Sequence, residues 1–239
     1  MSGNIGAGKT TLCNYLKANL PGSKVYFEKF EQNEHLQPFY EYLVKNSGKG
    51  DNHNPHALPV QLNFLMQRVR LERELDKEII EREERLKEQF KRNDGAPTTS
   101  NLQPEIEIHI IDRSIFEDNE IFAKNQLDSG MMTQEEYEQY LEVYNKYIEE
   151  IIAPDLMVIM SQDSKVLHER VMKRGREMEK EMSLEYLENL NQRYLHALEP
   201  MLSLRNVLFF RQEAETSKDL EGVNRAILES VTNKLKLAL

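Results

Sequence analysis

An α/β fold, a parallel sheet flanked by helices, is predicted by three observations. Short apolar runs rich in β-branched and aromatic residues recur along the chain. Longer stretches with helical spacing separate them, so successive strands are joined by crossovers and pair in parallel. A glycine-rich turn stands immediately ahead of the first helical stretch.

The expected elements follow in order. The first helix spans Thr10–Asn19 and a strand follows at Ser23–Phe27. Helices are predicted over Asn33–Lys45 and Gln61–Arg92, separated by the Gly/Asn-rich loop 46–55. In the long helix Leu62, Leu65, Val69, Leu75, Ile79, Leu86 and Phe90 recur at roughly helical spacing, while Glu72–Lys91 is dense in Glu, Lys and Arg. That pattern reads as an amphipathic helix with a solvated face laced by i,i+4 pairs. After a second loop at 93–101, a strand is expected at Ile106–Ile111 and helices at Ile115–Leu127 and Thr133–Ile152. The strand Asp155–Met160, the helices Lys165–Arg174 and Leu184–Leu202, the strand Asn206–Phe210 and the helix Lys218–Leu237 complete the order.

Composition excludes several classes. The 239 residues, 39% hydrophobic and 30% charged, describe a folded globular chain rather than a disordered one. With 31 Lys+Arg against 41 Asp+Glu the net charge is −10, which argues against nucleic acid as a partner. No apolar run approaches the roughly 20 residues of a membrane span. The single cysteine, Cys13, forms no internal disulfide and suits a reducing compartment. A cytoplasmic location is expected, or a mitochondrial one if a targeting segment lies upstream of Met1.

The turn Gly3-Asn4-Ile5-Gly6-Ala7-Gly8-Lys9-Thr10 matches G-x-x-x-x-G-K-[ST] in full. Its glycines let successive backbone N–H groups curl around phosphate oxygens, and the helix behind adds its positive end. Lys9 reaches the β- and γ-phosphates of a nucleotide such as ATP, and the Thr10 hydroxyl ligates Mg²⁺. Only Met1 and Ser2 precede the motif, so the strand that carries such a loop is expected to be absent from the chain.

Three further stations carry charge. Glu28 follows the strand at Ser23–Phe27 and Asp112-Arg113-Ser114 follows the one at Ile106–Ile111, both on the edge where parallel sheets bind ligands. Glu28 can accept a proton from an attacking hydroxyl, Asp112 can hold Mg²⁺, and Arg113 can orient the hydroxyl or neutralise phosphoryl charge. Each alone also reads as a surface charge or a helix cap. Arg170, Arg174 and Arg176, with Gly175 between the last two, end one helix and open a segment suited to closing over a nucleotide.

Together these motifs resemble the deoxynucleoside kinase family, from Gly3 to about Leu202. The resemblance implies a P-loop kinase fold in a single domain over 1–239, with strand order 2-3-1-4-5, a lid about 174–183 and an insertion about 70–102. It implies transfer of the ATP γ-phosphate (or that of another nucleoside triphosphate) to a deoxynucleoside 5′-hydroxyl, in nucleotide salvage. Glu28, Arg113 and Lys9 become catalytic, and Thr10 and Asp112 become Mg²⁺ ligands. Gly3, Asn4, Gly6, Ala7, Gly8, Lys9, Thr10 and Thr11, with Arg170, Arg174 and Arg176, take ATP. Gln61, Arg68, Asp118 and Phe122 meet the base, and Glu28, Arg113 and Glu179 meet the sugar.

The Arg68 and Asp118 pair resembles the purine- and cytosine-accepting members. Val60 departs from the family's stacking Phe. Gly50 stands at the offset of the family's sugar-binding tyrosine, for which Tyr40 or Tyr42 is a substitute. A homodimer through Ile115–Leu127 and Thr133–Ile152 is also implied. The alternatives are a non-catalytic kinase-fold subunit of a larger assembly such as mitochondrial complex I, and a nucleoside monophosphate kinase. A non-catalytic protein has no need of Lys9, Glu28, Arg174 and Arg176 together. A monophosphate kinase has no need of Glu28 as base.

Overall fold

The computed structural model describes residues 1–46, 52–92, 107–151, 153–180, 182–201, 207–211 and 217–236. The loops expected at 46–55 and 93–101 fall largely outside these residues, as does Gly50.

A first strand is present, though only two residues long: β1, Ser2–Gly3, runs parallel to β4, Met157–Ser161, with Ser2 opposite Ile159. β4 in turn pairs in parallel with β5, Val207–Arg211. β2, Ser23–Tyr26, pairs in parallel with β3, Ile108–Ile111. Met1 joins the two ladders: its amino group donates to the Ile111 carbonyl (2.7 Å), and its own carbonyl accepts from Arg113 N–H (2.8 Å). The strands therefore lie in the expected order 2-3-1-4-5, with one residue serving as the central seam.

Helix α1, Lys9–Asn19, buries Leu12, Cys13 and Leu16 and packs on β2 and on α9, Ser217–Leu235. Spacings of three and four put those apolar positions on one stripe. α2 covers Leu36–Asn46, and α3 runs unbroken over Ala57–Arg92. Leu65, Val69 and Leu75 are buried on α3, but Ile79 and Leu86 are exposed, so only its first half belongs to the core. Phe90 lies outside the described side chains. The second half is tied down by charge, through Lys24–Glu78 (3.0 Å) and Arg82–Glu107 (3.4 Å).

The expected helix Ile115–Leu127 is three pieces: α4, Ile115–Glu117; a π-helical segment, Asp118–Ala123; and α5, Lys124–Asp128. α3, α6 (Gln134–Ile148) and α8 (Leu184–Met201) all pack on the π segment. Such wide turns re-aim side chains, here Asp118 and Phe122. α6 opens with a Thr133–Glu136 capping box and stacks Tyr137, Tyr140 and Tyr144 along one face. α7, Ser164–Arg174, is capped by the Asp163 side chain and packs on α8. No helix among the described residues is long and apolar enough to cross a membrane.

Candidate active site

The glycine-rich loop joins β1 to α1, and its geometry needs glycine at definite points. Gly6 and Gly8 adopt φ of +82° and +90°, in the left-handed region disfavoured for other residues. A Cβ on Gly6 would stand 2.9 Å from the Leu167 carbonyl oxygen, and one on Gly3 would stand 2.6 Å from that of Met160. The loop thus lies against β4 and α7 with no room for a side chain. Asn4 turns away from it: its amide donates to the Leu187 carbonyl (2.9 Å) and to Asn191 Oδ1 (2.7 Å) on α8. Its side chain is an anchor, and only its backbone is free to meet phosphate.

Lys9 is buried and donates to the carbonyls of Gly3 (2.8 Å) and Asn4 (3.0 Å). Burial first, and the nearby Arg113 charge second, lower its pKa to about 8. The Thr10 hydroxyl donates to Asp112 Oδ2 (3.2 Å), while Asp112 Oδ1 is buried without a hydrogen-bond partner among the described residues. A hard cation between the Thr10 hydroxyl and that orphaned oxygen would satisfy both, so these residues fit Mg²⁺.

Beside them, four charged side chains form a chain of contacts. Arg113 Nε donates to Glu28 Oε2 (3.0 Å), Arg68 NH2 donates to Glu28 Oε1 (2.6 Å), and Arg68 Nε donates to Asp118 Oδ1 (2.9 Å). Burial alone would raise the Glu28 pKa, but Arg113, Arg68 and Lys9 outweigh it and hold the carboxyl at about 2. Asp118 is held by Arg68, while the nearby Glu28 and Glu117 charges oppose its ionisation. There burial wins and the pKa rises to about 6. Arg113 has φ of +74°, a strained value for a residue with a Cβ, and its guanidinium lies 4.7 Å from the Phe122 ring centre.

The arginine-rich segment folds over this cleft. Gly175, at φ +67°, ends α7 in a left-handed cap, and a 3₁₀ turn follows at Glu177–Glu179. Arg174 grips Glu179 with two bonds of 2.7 Å, and Arg176 lies 3.9 Å from the Phe30 ring centre. Both Glu179 oxygens are thus already held by arginine.

The charged groups named above border one cavity of ≈ 430 Å³. Along its wall the contacts run from Lys9 and Thr10 through Asp112, Arg113 and Glu28 to Arg68 and Asp118, and Gly6, Gln61 and Phe122 also line it. Arg174, Arg176 and Glu179 close it from the lid side, and Val60 and Tyr40 contribute apolar and aromatic wall. Tyr42 is elsewhere, edge-on to His56. Thr11 is exposed on α1 and Arg170 sits one turn back on α7; neither lines the cavity.

The Deoxynucleoside kinase family profile matches residues 1–236. The chain belongs to the deoxynucleoside kinase family. It is therefore an ATP-dependent phosphotransferase acting on deoxynucleosides. It is 26% identical over 212 residues to the deoxyadenosine/deoxycytidine kinase of Bacillus subtilis (strain 168), covering 86% of this chain and 80% of that one. It is 30% identical over 196 residues to the deoxyadenosine kinase of Dictyostelium discoideum, covering 81% of this chain and 63% of that one. Its fold matches the deoxyadenosine kinase of M. mycoides with bound dCTP at a TM-score of 0.66 and 21% identity, over 95% of this chain and 97% of that one. The same kinase with bound dATP gives a TM-score of 0.63 at 23% identity, over 95% and 96%.

Several residues of this kinase cleft have no signal in the sequence. Glu117 accepts from the backbone N–H groups of Gly3 (3.1 Å) and Ser114 (3.0 Å) and from the Tyr194 hydroxyl. It fixes the loop to α4 and α8 at once. Phe30, Phe64, Gln126 and Tyr186 complete the cavity wall. Phe30 and Gln126 sit at spacings that a helix stripe or a loop explains equally well, so only tertiary proximity singles them out.

Proposed function

We propose that this kinase moves the γ-phosphoryl group of ATP to the 5′-hydroxyl of a purine or cytosine deoxynucleoside, returning free deoxynucleosides to the nucleotide pool. The observation that carries the reading is Arg68, bound to Asp118 on one side and Glu28 on the other, within the cavity that also holds Lys9. One arginine links the group that meets the base to the group beside the reacting hydroxyl.

The 5′-oxygen attacks Pγ as the bond from Pγ to the β,γ-bridging oxygen breaks, leaving ADP and a 5′-monophosphate. The hydroxyl proton passes to Glu28. A carboxylate of pKa about 2 is a weak base for a ground-state alcohol. A loose phosphoryl transition state asks little of a base, and the hydroxyl acidifies as its bond to phosphorus forms. Arg113 fixes the Glu28 carboxylate and adds positive charge beside the transferring group. Lys9 exchanges its carbonyl partners for phosphate, and Arg174 and Arg176 cover the phosphates from the lid. Thr10 and Asp112 would hold Mg²⁺, which would supply neutralisation of phosphate charge. Tyr40, edge-on to Tyr186 and lining the same cavity as Glu179, meets the sugar.

At the base end, the Arg68–Asp118 pair offers donors and an acceptor to ring nitrogens and exocyclic groups. A mismatched edge would leave these buried groups unpaired. The relatives named for deoxyadenosine and deoxycytidine, and the neighbour that binds dATP and dCTP, support the same substrate class. The test is Glu28→Gln. Turnover of deoxyadenosine is expected to fall on the order of 10²–10⁴-fold, with ATP binding nearly intact by calorimetry. Unchanged turnover would place the base elsewhere.

A further inference from the structure

Gln126 stands apart among the groups bordering the cleft. It is 1% exposed, lies in the cavity wall, and among the described residues neither its Oε1 nor its Nε2 has a hydrogen-bond partner. Its backbone is fully used: the carbonyl accepts from Met132 N–H (2.9 Å) and from the Ser129 hydroxyl (3.3 Å). The residue is therefore fixed in place while its amide is unspent. Buried polar atoms without partners are rare in native folds, because each carries the full cost of desolvation. A leucine of the same size at this position would cost nothing of the kind.

Its position says what the amide serves. Asp118, Phe122 and Gln126 recur every four residues through the π segment and into α5, and all three line the cavity. Gln126 is thus on the base side, one turn beyond Phe122. The cavity already holds two readers there, the Gln61 amide and the Arg68–Asp118 pair. A cytosine ring offers its ring nitrogen and exocyclic groups along a single edge, which those two readers occupy. A purine offers more: an imidazole edge besides the pyrimidine one, with N7 beside the 6-substituent.

We propose that Gln126 is a specificity residue that reads the N7/6-amino edge of adenine left unmet by Gln61 and the Arg68–Asp118 pair, so that deoxyadenosine is preferred over deoxycytidine. This rests on the kinase reading of the same cavity. A glutamine amide carries an acceptor and a donor side by side, the complement of an amino group next to a ring nitrogen. Filling the cleft with adenine satisfies both atoms that the free protein leaves bare.

The experiment compares the full chain with Gln126→Leu, using deoxyadenosine and deoxycytidine with ATP. The variant should lower kcat/KM for deoxyadenosine by about tenfold or more, mostly through KM, as expected for losing one paired base contact. Its kcat/KM for deoxycytidine should stay close to that of the parent. The melting temperature without nucleoside should hold or rise, because an unpaired buried amide is removed, while the upward shift produced by deoxyadenosine should shrink. Equal losses on both nucleosides, or an unchanged ratio between them, would overturn the role of Gln126 and leave the kinase reading standing. A parent protein that phosphorylates neither nucleoside would overturn the kinase reading itself. Gln126→Met serves as the second variant if the leucine form does not fold, with the same ratio as readout.

Discussion

At the residue scale, the cleft is governed by charges held away from water. Lys9 is the clearest case, because burial and Arg113 bring its pKa down to about 8 in the free enzyme. The sign follows directly. Below that pH the ammonium is charged and attracts triphosphate; above it the free enzyme loses the proton and the attraction weakens. We expect kcat/KM for ATP to fall as pH rises through about 8, since that ratio reports groups of the free enzyme. Bound phosphate favours the charged lysine, so the same limb in kcat should move to higher pH. A pH–rate profile with no alkaline limb in kcat/KM would show that Lys9 keeps its proton throughout. Glu28 differs in kind. Its carboxyl, near 2, leaves no acid limb of its own across the neutral range.

At the scale of elements, the lid begins where α7 ends, and the ending depends on one backbone conformation. Gly175 holds φ at +67°, and a Cβ there would meet nothing within 4 Å. Gly175→Ala therefore isolates conformational strain from crowding. The expected cost is about 1–2 kcal/mol, as for any L-residue forced left-handed. In a domain of this size that lowers the melting temperature by roughly 2–4 °C per kcal/mol. If the strain is relieved by turning Arg176 off Phe30, KM for ATP should rise as well. A drop in melting temperature with KM unchanged would show that the lid tolerates a different exit from α7. The π segment is the second such device. An ordinary α-turn over Asp118–Ala123 would rotate Asp118 relative to Arg68, and nothing in the local residue pattern distinguishes the two.

At the scale of the whole molecule, the phosphate loop is held by parts of the chain far from it in sequence. Met1 stitches β3 to the central strand, Asn4 reaches α8, and Glu117 collects bonds from Gly3, Ser114 and Tyr194. Glu117 is a buried carboxylate. Burial opposes its charge, but Arg113, Lys9 and the Tyr194 bond lower its pKa overall. Removing one donor with Tyr194→Phe should destabilise the fold by about 1.5–3 kcal/mol, the range for hydrogen bonds to charged groups. Thermal unfolding monitored by calorimetry reads this directly. An unchanged midpoint would mean that α8 and the loop are joined by packing alone.

Much of this was legible in the residues. The glycine-rich loop, Glu28, Asp112, Arg113 and the arginines at the end of α7 stand out by local spacing, and the strands and most helices follow from local periodicity. Less visible was anything that depends on two distant segments meeting. The central strand reads as missing because two residues carry no strand pattern, yet Ser2–Gly3 pair with β4 once the sheet exists. Ile79 and Leu86 continue a helical stripe, yet the core ends at Leu75. Asn4 reads as part of the phosphate loop, and its side chain also anchors that loop to α8. Arg170 reads as an ATP contact one turn ahead of the lid and does not line the cavity. By itself, then, the sequence determined the α/β class, the phosphate chemistry and the family, because each rests on short-range pattern and on residue type. Only the tertiary structure decided which groups share the cavity, how Arg68 divides itself between Glu28 and Asp118, and that Gln126 is buried with nothing to bond. Burial and partnership are properties of the assembled core, and no single segment contains them.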